Sequence, residues 1–313
     1  MSRFGKYKAL TGVLFLIILL EFIGLAGALA ADGARRAEAE ALRQALAEAQ
    51  EPPEPVPDSL PPEAAPALPP EKSKPAGEPD AAEILAGQPV IAHAMGAVGG
   101  ETVLNCLEGF LAQYRRGVRV FEADLRLTSD QQVVLRHDWR SGWQEGVSET
   151  AVPTLEEFRS KPILGEYTPL SFRDLLLLME EYPDICVVTD TKFTDAEVVR
   201  LQFEAMLRDA RELGLSYLFD RFIIQVYDPL MFQVVDGLHH FDHYIFTLYT
   251  IGFSKTEEEL RERLEFCAAN GILGLTMQEN WWRGAWGPIA REYGVKLFLH
   301  TLNDADTARL LLS

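Results

Sequence analysis

Glu122 and Asp124 lie two residues apart in an apolar run, Val120-Phe121-Glu122-Ala123-Asp124-Leu125. In an extended strand alternate side chains share a face. Both acids therefore point one way with Val120, while Phe121, Ala123 and Leu125 point the other. The strand rise separates the two carboxylates by about 7 Å. Acids that close in a low-dielectric setting repel unless a cation joins them. Oxygen donors favour a hard divalent ion, Ca2+ or Mg2+, over zinc. A turn at Thr128-Ser129-Asp130 and a returning run, Val133-Val134-Leu135, then bring His137 and Asp138 back beside the acids.

The same logic recurs along the chain. His93 falls at the end of an apolar run, 90–95. Val188, Asp190 and Lys192 share a face, as do Gln225 and Tyr227. Asp190 supplies a third carboxylate for the cation, and Lys192 a fixed positive charge beside it. Two histidines, three acids and a lysine suit cleavage of a phosphoric ester. One imidazole removes a proton, the other protonates the leaving oxygen, and cation and lysine stabilise charge on the phosphorus oxygens.

Something must hold these groups together. Strands are predicted over 90–95, 119–127, 185–192, 222–227, 244–248, 272–277 and 295–301. Helices are predicted between them, at 104–116, 171–181, 196–213, 256–270 and 288–293. Gly117, Gly214, Gly271 and Gly294 stand where such helices end on a left-handed residue. Unbroken strand–helix alternation implies a parallel sheet covered by helices. Seven strands are one short of a (β/α)8 TIM barrel, in which the acids would face the mouth at the C-terminal strand ends. A further helix, 304–312, leads into Ser313, so the barrel is expected to lack its last strand. A doubly wound open sheet is the alternative, but no glycine-rich phosphate loop follows the first strand.

Outside the barrel, taken as residues 83–313, two segments precede it. Residues 1–31 carry Arg3, Lys6 and Lys8 ahead of an apolar run, 9–30, interrupted by Glu21. That run reads as a signal peptide or membrane anchor, which places the rest of the chain on the extracytoplasmic side, tethered or secreted. Residues 32–82 read as a polar helix followed by a Pro-, Glu- and Ala-rich disordered spacer. The formal charge of −18 over 313 residues argues against a nucleic-acid partner. Cys106, Cys186 and Cys267 are far apart and in apolar contexts, so they are read as core.

All five tryptophans fall in two stretches, Trp139 with Trp143, and Trp281, Trp282 with Trp286. Both stretches follow strands, on the side where the mouth should be. Trp139 and Trp282 are taken as contacts for a substrate headgroup, against the alternative of a self-packed lid. "HHFDH", His239 to His243, is read as a surface cluster in a loop before the fifth strand.

Residues 90–192 resemble the glycerophosphodiester phosphodiesterase family, which shares its barrel with phosphatidylinositol-specific phospholipase C. The resemblance rests on His93, Asn105, Glu122-Ala123-Asp124, Thr128-Ser129-Asp130, His137-Asp138 and Asp190-Thr191-Lys192. It continues through "IIQVYD" and "LHTLND". It implies that His93 and His137 are the acid–base pair, and that Glu122, Asp124 and Asp190 hold a divalent cation. It also implies that Lys192 meets the phosphate and that Gln225 lies on the substrate. The implied substrates are glycerophosphodiesters or lipid headgroups. Several positions depart from the family pattern. Ala94 stands in place of an arginine, Leu104 in place of a glutamate, Cys106 in place of a threonine, and His300 in place of a tryptophan. The third cation ligand is Asp190 rather than a glutamate. Arg136 could replace the missing arginine, although strand alternation turns it away from His137. A phosphatidylinositol-cleaving lipase and a catalytically impaired binding barrel are the alternatives.

Overall fold

The structure is a computed structural model that describes residues 40, 68–88, 90–140, 151–249, 253–300 and 302. The apolar segment 9–30, the expected helix 304–312 and Trp143 lie outside the described residues. Among the described residues no helix is long and apolar enough to cross a membrane.

Among the described residues, seven strands form one sheet. They are β1 (Val120–Leu127), β2 (Val133–Leu135), β3 (Cys186–Asp190), β4 (Phe222–Val226), β5 (Tyr244–Thr247), β6 (Gly274–Gln278) and β7 (Lys296–His300). Their order is β2-β1-β3-β4-β5-β6-β7. From β1 through β7 every pairing is parallel, with Glu122 level with Val188 and Asp124 level with Asp190. β2 is the predicted return, antiparallel to β1, and it carries the chain back towards His137.

The strand expected at 90–95 is only partly formed. Ala92 bridges Phe121, and its carbonyl accepts from the Glu122 amide at 2.8 Å. The chain then leaves the sheet in a 3-10 turn at His93–Met95. Ala94, Met95 and Gly96 all take positive φ, which a continuing strand cannot accommodate.

The alternation read from the sequence sorts the core into two parts. Phe121, Ala123, Leu125, Val187, Ile224, Phe246 and Leu275 belong to the large outer cluster beneath the helices. Val120, Cys186, Val188, Ile223 and Ile245 form a separate inner cluster. Ile91, before the first rung, and Phe298, on β7, both pack against that inner cluster, so the two ends of the sheet curl towards one interior. This is a parallel α/β barrel of the (β/α)8 class.

The interior is stoppered from below. α1 (Ala81–Ala86) is started by Asp80 and Glu83 in a capping box. It buries Ala81, Ile84 and Leu85 against Val120 and Cys186 at the strand starts. Burying each of the two larger side chains contributes about 1.5–3 kcal/mol. The approach to α1 corrects the expectation of a disordered spacer through residue 82. Glu71 accepts from the Ser216 hydroxyl at 2.8 Å, and the Lys72 amide donates to the Gly214 carbonyl at 2.9 Å. Lys74 pairs with Asp220 at 3.3 Å. The polar residues of this Pro-rich stretch thus tie it to the bottom of the barrel.

Helices α2 (Leu107–Arg115), α3 (Leu155–Arg159), α4 (Phe172–Glu181), α5 (Ala196–Leu213), α6 (Pro229–Leu238), α7 (Glu257–Ala269) and α8 (Trp286–Glu292) complete the described elements. The glycine stops hold: Gly214 closes α5 at φ 66°, where its amide satisfies the last carbonyls. α2 approaches the His93 turn closely. A Cβ on Gly109 would lie 2.5 Å from the Gly96 carbonyl oxygen, closer than van der Waals contact permits. Gly109→Ala is expected to lower stability by about 1–3 kcal/mol through overpacking. It should also displace the turn that carries His93, so thermal melts and activity should fall together.

His243 corrects the reading of "HHFDH" as wholly superficial. His240 is exposed and pairs with Asp236 at 2.7 Å. His243, by contrast, is buried near the base of the barrel, 4.0 Å from Asp80. The three cysteines are buried and unbridged, as expected.

Candidate active site

The inward-facing residues change character from bottom to top. Val120, Cys186, Ile223 and Ile245 are apolar, while Glu122, Asp124, Asp190, Gln225, Thr247 and Thr276 lie above them along the same strands. The polar layer sits at the C-terminal strand ends, where a barrel of this class opens.

Glu122 is 8% exposed, and its Oε2 accepts from the Ala94 amide at 2.6 Å. The left-handed turn at Ala94 (φ 48°) is what aims that amide inward. Glu122 Oε1 is buried with no partner among the described residues. Burial raises the Glu122 carboxyl well above its usual range, and repulsion from Asp124 and Asp190 adds to this. His93 Nε2 lies 3.9 Å from Glu122 Oε2, and the imidazole is 46% exposed.

Asp124 is fully buried. Asn105 grips it twice: Nδ2 donates to Oδ2 at 2.7 Å, and Oδ1 accepts from the Asp124 amide at 3.0 Å. Lys192 Nζ lies 2.5 Å from Asp124 Oδ1. Burial alone would raise this carboxyl, but Lys192, His137 and Asn105 outweigh it and hold the group at about 2. For Lys192 burial acts the other way, and Asp124, Asp190 and Glu122 overcome it, so the ammonium stays charged.

His137 arrives on the β2 return. Its Nδ1 is 2.6 Å from Asp138 Oδ2, and Arg126 donates to its carbonyl at 2.8 and 3.1 Å. Side chain and backbone are thus both fixed, and the charge of His137 acts on Asp124.

Asp190 is placed differently from expectation. His93, Glu122 and Asp124 offer ligand atoms within 4.8 Å of one another, and Asp190 is not in that group. Its oxygens accept instead from Tyr227, from Tyr249 at 3.0 Å, and from Lys192 Nζ at 2.7 Å. Gln225 does line the interior, with its Nε2 directed at the Tyr227 hydroxyl.

The two tryptophans taken as substrate contacts differ. Trp139 is 4% exposed and packed edge-on to Phe158, with Arg136 over its ring. It belongs to a side cluster with Val134 and Phe158, which differs from its expected place as a substrate contact. Arg136 is buried with it, its Nε donating to the Asp138 carbonyl at 2.6 Å, and burial lowers its pKa to about 10. Trp282 is partly buried against the main core on the loop after β6.

Tyr249 went unnoticed in the sequence. It continues the period-two face of Ile245 and Thr247 just past β5, so the signal was present. His300 also enters this layer, edge-on to the Tyr249 ring at 5.4 Å, and burial lowers its pKa to about 4. Non-glycine residues at positive φ gather here as well: Ala94, Met95, Asn105 and Lys192. Such conformations cost about 1–3 kcal/mol each and persist where the surroundings enforce them.

A Glu122 oxygen with no partner among the described residues, Asp124 beside it and the His93 nitrogen within reach fit a hard divalent ion.

No protein-family model matches the sequence. The fold does match solved structures. A phosphodiesterase from Oleispira antarctica, in complex with the product sn-glycerol-3-phosphate, superposes with a TM-score of 0.58 at 16% identity, covering 71% of this chain and 87% of that one. A glycerophosphodiester phosphodiesterase from Parabacteroides distasonis gives 0.55 at 15%, covering 71% and 87%. One from Agrobacterium tumefaciens gives 0.52 at 15%, covering 71% and 90%. The barrel is thus built like those of glycerophosphodiester phosphodiesterases.

Proposed function

We propose that this protein is a phosphoric diester hydrolase acting on glycerophosphodiesters or phospholipid headgroups. One observation carries the reading. The half-exposed imidazole of His93 lies 3.9 Å from buried Glu122, and His137, also partly exposed, is near enough to buried Asp124 to act on its charge. The shared fold supports it.

In this reading Glu122 and Asp124 hold a divalent cation, with the His93 nitrogen close by. When bound, the cation acts as a Lewis acid on a phosphoryl oxygen. The remaining work falls to the chain itself. Lys192 presents its ammonium to a second phosphoryl oxygen. One histidine takes the proton from the attacking hydroxyl, which belongs to water or to the substrate. The other gives a proton to the departing alkoxide, so the alcohol leaves neutral. Asp138 keeps His137 in one tautomer through the cycle. The run 9–30, after Arg3, Lys6 and Lys8, supports an extracytoplasmic location.

The test is hydrolysis of glycerophosphoethanolamine, glycerophosphocholine, phosphatidylinositol and bis(p-nitrophenyl) phosphate, each with and without EDTA. Turnover of a diester that EDTA abolishes and Ca2+ or Mg2+ restores is the expected outcome. Turnover of phosphatidylinositol alone, indifferent to EDTA, would favour a lipase without a cation. No turnover of any diester would reduce the site to a binding barrel.

A further inference from the structure

Asp190 is fully engaged by groups other than a cation. Its Oδ1 accepts from the Tyr227 and Tyr249 hydroxyls, and its Oδ2 from Lys192 Nζ. Tyr227 is buried and Tyr249 half-buried, and their rings meet edge-on at 5.9 Å. Lys192 is held at both ends by the same assembly. Its backbone amide donates to the Tyr227 hydroxyl at 2.8 Å, while its ammonium reaches Asp190 at 2.7 Å. A left-handed backbone at Lys192, φ 60°, makes both contacts possible at once. An ammonium has three N–H donors. Asp190 takes one, and Asp124 Oδ1 stands beside the ammonium as an ion pair at 2.5 Å, so donor capacity remains for an incoming oxygen.

Building on the diesterase reading above, we infer that Asp190, Tyr227 and Tyr249 form a positioning unit that aims Lys192 at the phosphate, and that Asp190 is not a cation ligand. The cation then belongs to the Glu122–Asp124 side of the mouth and the anion to the Lys192 side. Asp124 is the group common to both, since it touches Lys192 and lies within the possible ligand set. The shorter side chain suits this division. An aspartate at the end of β3 meets phenols from just beyond β4 and β5 without extending towards Glu122.

Two binding readouts separate the roles without recourse to turnover. Mn2+ binding is followed by loss of the free-ion EPR signal, and inorganic phosphate binding by calorimetry in EDTA. For Asp190→Asn we expect the Mn2+ Kd to stay within about threefold of wild type and the phosphate Kd to rise about 10–100-fold, the usual cost of losing the partner that orients a ligand. Tyr249→Phe should show the same split, more weakly, and it keeps the test informative if Asp190→Asn fails to fold. Glu122→Gln should show the reverse split. The assignment is overturned if Asp190→Asn loses Mn2+ as severely as Glu122→Gln. It is equally overturned if phosphate affinity is unchanged in both Asp190→Asn and Tyr249→Phe. A wild-type protein that takes up neither probe overturns the diesterase reading and this one together, whereas normal wild-type uptake with the wrong split overturns this one alone.

Discussion

His93→Ala is expected to lower kcat/KM for the susceptible diester by about 100- to 10,000-fold, the usual contribution of a placed general acid or base. Stability should move by no more than about 0.5 kcal/mol, because a half-exposed imidazole on a turn contributes little packing. The turn itself is held by other atoms. The Ala94 amide binds Glu122, and the Asn105 amide donates to the Ala94 carbonyl at 3.1 Å. Neither contact uses the imidazole. His93 also lies within reach of the possible cation ligands, so rate alone does not separate acid–base work from coordination. The separating measurement is Mn2+ affinity. An acid–base His93 leaves Mn2+ binding within about threefold while removing one limb of the pH–rate profile. If alanine instead costs affinity and rate in proportion, His93 is a ligand and His137 is left as the sole proton-transfer group. A variant with the wild-type rate would remove His93 from the mechanism.

The sequence made the barrel's inner face legible because successive residues from Val120 to Asp124, all of them buried, alternate between the interior and the outer cluster beneath the helices. The residues at positions 122, 124, 190 and 225 could therefore be assigned to one side from spacing alone. Its failures share a cause. Whether Asp190 ligates an ion depends on Tyr227 and Tyr249, which lie 37 and 59 residues further along and approach only across the sheet. Likewise Trp139 looked like a mouth residue by position, yet Phe158 and Val134 supply an apolar niche beside it. The first strand was read too long because Val90 and Ile91 favour extension, whereas the turn at Ala94 is enforced by Glu122 and Asn105 from elsewhere. Local pattern identifies which face a residue occupies. It does not identify what the neighbouring strand will offer it.

Glu122→Gln is the substitution with the most specific expected signature. Its carboxyl is held well above 4.5 by burial first, then by the two nearby acids. A carboxyl whose folded pKa is raised binds its proton more tightly in the folded state than in the unfolded one. Its charge therefore costs stability increasingly as pH rises above the ordinary value of 4.5 towards the folded one. Asp124 has the opposite sign. Held at about 2, it contributes stability that is lost only as pH falls below 3.8, so it is silent above pH 5. Comparing wild type with Glu122→Gln between pH 5.5 and 8 isolates Glu122, because other titrations are common to both proteins. In EDTA the variant's advantage in melting temperature should be smallest at the low end and grow towards the high end. A divalent cation replaces the missing proton, so Mn2+ or Ca2+ should raise the wild-type Tm more at pH 8 than at pH 5.5 and should release a proton on binding. The variant should lose this response, with cation affinity reduced at least about 100-fold, beyond the 10–100-fold typical of groups that only support a ligand. Calorimetry in buffers of different ionisation enthalpy counts the released proton directly. A wild-type Tm indifferent to cations at both pH values, or a variant that responds as the wild type does, would mean that the orphaned oxygen of Glu122 has a purpose other than holding an ion.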